Sequence, residues 1–70
     1  MSVQPAHAYI NLEIARIAKS PTPGPDQSYV TGMIEMAFFL DQITFEQVQH
    51  LKQALETKVG NRVEHLRAAA

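Results

Sequence analysis

Glu46 and His50 stand four residues apart, a spacing that sets a carboxylate and an imidazole one turn from each other on a helix. Two such side chains could share a metal ion, and His65 falls on a similar side further along. A metal-dependent enzyme built on these three residues is one reading of the chain. A protein metal site needs at least three ligands in most cases. The plainer reading is a solvated pair on a polar helix face, worth little to stability.

Ser28, His50 and Asp26 supply the residue types of a nucleophilic triad. Nothing in their spacing brings them within hydrogen-bond reach, and no glycine-flanked nucleophile turn is present. The three glycines are isolated, so no phosphate-cradling loop exists. Cysteine is absent, which removes disulfides, zinc–thiolate sites and thiol catalysis together. His7 opens the apolar stripe of the first helix, either as a pH-sensitive contact or as a partly buried histidine near a helix end. From these residues we expect no enzyme: no catalytic residue, no cofactor and no metal ligand is assigned.

The elements that must position these side chains are helical. A first helix is expected over residues 5–19, opened by Pro5, with Ile10, Ile14, Ile17 and Ala18 on one face and Tyr9 and Leu12 turned away from it. Arg16 and Lys19 sit where the helix dipole favours cations. Residues 20–25, Ser-Pro-Thr-Pro-Gly-Pro, read as a stiff proline-rich linker that no helix can cross. A second helix is expected over residues 26–40, and a third over residues 44–67.

The third helix carries the best local signal. Thr44 and Gln47 form a capping box, and Ile43 and Val48 match a hydrophobic staple. Its stripe is Val48, Leu51, Leu55, Val59, Val63 and Leu66. Gly60-Asn61 is a plausible stop, yet the stripe stays in phase across it. A break at Gly60 and one long helix therefore both stay open. The short connection before Thr44 implies an antiparallel αα-hairpin of helices 2 and 3.

The second helix is apolar around most of its circumference. Tyr29, Val30, Met33, Ile34, Met36, Ala37 and Leu40 share a broad face, Phe38 and Phe39 fall on its opposite flanks, and Ser28, Thr31 and Glu35 mark the wet side. A helix so apolar has more to hide than one neighbour can cover. A 70-residue chain without disulfides also gains from a partner subunit. The expected fold is therefore all-α, three helices in a single small domain, assembled as a homodimeric helical bundle. Tyr29, Met33, Met36, Phe38, Phe39 and Leu40, with Ile10 and Ile14 of the first helix, are the candidate partner or dimer interface.

Composition bounds the remaining classes. Hydrophobic residues make up 46% of the chain, too many for intrinsic disorder. The longest apolar run, Met36 to Leu40, is far below the roughly 20 residues of a membrane span. Met1 to Pro5 lacks the basic flank and apolar stretch of a signal peptide, so a cytoplasmic protein is expected. The formal charge of −1 gives no field to draw in nucleic acid. Lys52, Lys58, Arg62 and Arg67 make a basic edge that Glu56 and Glu64 offset, and the segment after Gly60 is too short for a recognition helix.

The functional expectation is a protein–protein interaction module: an inhibitor, adaptor or regulator that binds itself and another, unidentified protein. Its size and style are those of many small phage or mobile-element proteins, an analogy with no motif behind it. A nucleic-acid-binding regulator is the alternative.

Overall fold

The computed structural model describes residues 5–70. The stretch Met1 to Gln4, which holds Ser2 and most of the segment read for a signal peptide, lies outside the described residues. The fold is all-α. Helix α1 spans Pro5–Arg16, α2 spans Pro23–Phe39 and α3 spans Phe45–Ala69, with a 3₁₀ turn at Ile17–Lys19 between the first two. Among the described residues there is no strand.

The proline-rich linker is shorter than expected, and the reason is local. Pro23 is the first residue of α2 and Pro25 the third, so both prolines and Gly24 lie inside the helix's opening turn. The N–H groups of that turn have no intrahelical acceptor, so a ring that lacks one loses nothing there. Only Ser20, Pro21 and Thr22 are left to connect the elements, and a hydrogen-bonded clasp closes them. The buried Ser20 hydroxyl donates to the Asp26 carboxylate and accepts from the Thr22 backbone N–H at 2.9 Å. From the far side, Arg62 Nε donates to the Ser20 carbonyl at 2.6 Å.

That contact also bears on the open question in α3, which runs unbroken through Gly60. Both halves of its capping box form: Thr44 N–H donates to Gln47 Oε1 at 2.8 Å, and Gln47 N–H donates to Thr44 Oγ1 at 3.1 Å. Ile43 and Val48, on either side of the cap, are both buried. Val63 packs against the core and Arg62 grips the α1–α2 connection, so the second half of the helix has tertiary partners that outweigh the propensity cost of Gly60.

α2 ends in a Schellman arrangement. Gln42 N–H donates to Ala37 O at 2.8 Å and Asp41 N–H to Phe38 O at 3.0 Å, with Asp41 at φ 60°. Five residues, Leu40 to Thr44, then carry the chain into α3, which packs along α2. α1 lies against both α2 and α3 of its own chain.

The core is wholly aliphatic. It joins Ile10, Ile14 and Ile17 to Val30, Ile34 and Ala37, and both sets to Ile43, Val48, Leu51, Leu55 and Val59. Ile10 and Ile14 are thus correctly placed on the α1 stripe but not on an outer interface. Three β-branched side chains at helical spacing fill the space between α2 and α3, and none of their surface is left for a partner.

Candidate protein-interaction surface

Every aromatic residue of the chain lies on the outside. Tyr9, Tyr29, Phe38, Phe39 and Phe45 are all the tyrosines and phenylalanines there are, and each is exposed, Phe39 to 80%. The cause is the distribution of side chains on α2. Val30, Ile34 and Ala37 point inward, and Ile34 is wholly buried. Tyr29, Gly32 and Met36 fall on the opposite side of the same helix and are exposed. A helix apolar all round is ordinarily one that is covered all round, and here the second side is left to water.

This outer side continues sideways into a groove. Ala6 and Tyr9 of α1 form one wall, and Tyr29, Met33, Met36 and Leu40 of α2 form the other, around a volume of about 480 Å³. Among the described residues no charged side chain lines it. Met33 is half-buried and touches the core behind the groove, so it links the outer surface to the interior. At the far end of α2 the Schellman turn reverses the chain and sets Phe45 beside Phe38. Their ring centroids are 6.1 Å apart and the planes are tilted by 59°, within the range of favourable aromatic pairs. Phe39 and Leu40 are exposed next to this corner.

Of the expected interface residues, Tyr29, Met36, Phe38, Phe39 and Leu40 are therefore exposed and Met33 lines the groove, whereas Ile10 and Ile14 belong to the core. Two residues extend the surface. Tyr9, already turned away from the α1 stripe in the sequence, walls the groove. Phe45 carried no usable signal, because only the turn geometry brings it to Phe38.

The residues considered for chemistry are dispersed. Glu46, His50 and His65 are each exposed, and among the described residues no three His, Asp or Glu side chains gather around a common point. Asp26 is taken up by Ser20, with the Thr22 hydroxyl also within 3.5 Å. His7 is half-buried, its Nδ1 3.4 Å from the Asn11 side-chain amide. On the basic edge of α3, Lys52 pairs with Glu35 at 3.3 Å, Arg62 is held by Ser20, and Arg67 pairs with Glu64 at 3.6 Å. Among the described residues no helix is long and apolar enough to cross a membrane. Comparison with protein-family models, with curated proteins and with solved structures finds no match to this chain.

Proposed function

We propose that this chain is a non-enzymatic, cytoplasmic interaction module, which inhibits, adapts or regulates a partner protein by covering an apolar surface on it. The observation that carries this reading is the outward placement of all five aromatic rings over an aliphatic core. Aromatic side chains bring the largest apolar area per residue and dominate the energetics of protein interfaces. A fold meant only to persist would gain by burying them. Here two of them frame a groove that no charged side chain lines among the described residues, and three surround the turn between α2 and α3.

An antiparallel αα-hairpin of α2 and α3 belongs to the same reading. It is supported by the pairing of Phe38 with Phe45 near the turn and of Glu35 with Lys52 further from it. A nucleic-acid role has no comparable support, since three of the four cations on the α3 edge already have partners within the chain.

The test uses Phe39→Asp and Phe45→Asp. Both positions are exposed; Asp suits the start of α3 but gives up the Phe38–Phe45 pair there, and the dipole disfavours it at the end of α2, so each lone chain should keep its helicity and lose about 1 kcal/mol of stability. Proteins retained from host lysate by the immobilised wild-type chain should be released by both variants. Retention of the same proteins in the same amounts by the two variants would refute the proposal.

A further inference from the structure

We propose that the outer side of α2 is occupied by a second copy of this chain, packed antiparallel along α2 about a two-fold axis level with Ile34, with Met36 of each copy seated against Gly32 of the other. The proposal rests on the reading of that side as a contact surface and names its occupant.

Gly32 lies in the middle of α2, its φ is negative, and a Cβ added there would meet nothing within 4 Å. An interior helical glycine costs about 1 kcal/mol against alanine, and nothing among the described residues requires it. Its position explains what the fold does not. At roughly 100° per residue, Tyr29, Gly32, Met33, Met36, Phe39 and Leu40 lie within about 60° of one line along α2. That line runs opposite the buried Ile34. Gly32 is the single notch on this line, with bulky side chains before and after it.

This face is also self-complementary. A two-fold axis that relates two antiparallel helices exchanges positions on either side of it. With the axis level with residue 34, position 32 meets 36 and position 29 meets 39. The notch at Gly32 then receives Met36, and Tyr29 lies against Phe39, each contact made twice. A flexible thioether is well suited to fill such a gap. The nearest charge along the helix, Glu35, lies about 100° around from Met36, outside this line, and is held by Lys52 of its own chain at 3.3 Å, so the flank presents a neutralised pair.

The exposed apolar area suits a pair. Aromatic side chains bury roughly 150–250 Å² each. From their exposures, Tyr9, Tyr29, Met36, Phe39 and Leu40 together offer about 600 Å² per copy, or about 1,200 Å² for a pair. That reaches the lower end of the range for specific, stable interfaces. It also supplies the subunit partner that a chain of this size without disulfides gains most from.

The experiment combines sedimentation equilibrium of the full chain with directed cross-linking, which is clean because the chain has no cysteine. The wild type should rise from 7.8 kDa to twice that mass with concentration. Gly32→Leu keeps the surface apolar, and its Cβ has open space among the described residues, so it should fold with undiminished helicity yet associate at least tenfold more weakly. An equimolar mixture of Gly32→Cys and Met36→Cys chains should oxidise mainly to the mixed disulfide. A wild type that stays at one chain mass throughout would overturn the proposal. So would a Gly32→Leu chain that pairs as tightly as the wild type, or a preference for Gly32→Cys homodisulfides, which parallel helices would give. If the wild type proves monomeric while Phe39→Asp still releases the retained proteins, the self-pairing fails and the contact-surface reading stands. If the chain pairs as described and both Asp variants retain those proteins, the reverse holds.

Discussion

Replacing Gly60 by alanine should stabilise the lone chain, and replacing Gly32 by alanine should do so only when the protein is dilute. The two glycines are a matched pair. Each is interior to a long helix, exposed and at negative φ, and a Cβ added there would meet no other described side chain within 4 Å. In a single chain each substitution should therefore contribute about 1 kcal/mol through helix propensity and a less flexible unfolded state. For a domain of this size that is a rise in midpoint of roughly 4–8 °C. The assay is thermal unfolding by far-ultraviolet circular dichroism, at micromolar and at hundreds of micromolar protein. Gly60→Ala should show the full gain at both concentrations. Gly32→Ala should show it at the lower one. At the higher one, association stabilises the wild type by mass action, and the new methyl group stands where Met36 of the second copy packs, so the gain should vanish or reverse. A fall in midpoint for Gly60→Ala would mean that α3 is not continuous through Val59 and Asn61. Identical behaviour of the two variants at both concentrations would mean that nothing approaches Gly32 closely.

Other consequences follow from single contacts. Asp41 holds the left-handed position of the Schellman turn, where glycine is favoured. Asp41→Gly should raise stability by about 0.5–1 kcal/mol in chemical denaturation. Ser20→Ala removes a buried hydroxyl that both donates and accepts, leaving the Thr22 N–H and the Asp26 carboxylate without it. The expected loss is about 1–2 kcal/mol, read as a lower urea midpoint with an unchanged slope.

Much of the fold is legible in the sequence where the deciding interaction is local. Thr44 and Gln47 satisfy each other's backbone within one turn, so the start of α3 follows from spacing alone. The apolar excess of α2 is equally visible, but the single broad face expected to hold Ile34 and Met36 together is corrected by the structure: two residues apart, they stand about 200° around the helix, and Ile34 is buried while Met36 is exposed. What resisted reading depends on neighbours or on position within a turn. Three prolines in five residues look like a helix breaker unless the first turn is distinguished from the interior. The passage of α3 through Gly60 is decided by Val63 and by Arg62 reaching Ser20, 42 residues away in sequence. For the candidate surface the limit is sharper. Ile10 and Ile14 carry the same residue type whether they face α2 and α3 or a second chain, and only docking of α1 on its own helices assigns them to the core. Phe45 joins the surface through the reversal at Asp41, which periodicity cannot see.

The central claim is that the outer side of α2 is covered in the working state of the protein. The chain has two tyrosines and no tryptophan, and Tyr9 and Tyr29 both wall the groove, about half exposed at 51% and 59%. Their intrinsic emission therefore reports on that surface in the unlabelled protein. Acrylamide quenching should weaken steadily as the concentration of wild-type chain rises, and should remain strong at every concentration for Phe39→Asp. Strong, concentration-independent quenching of the wild type, matching that of the variant, would show that the surface stays open to water and would contradict the claim.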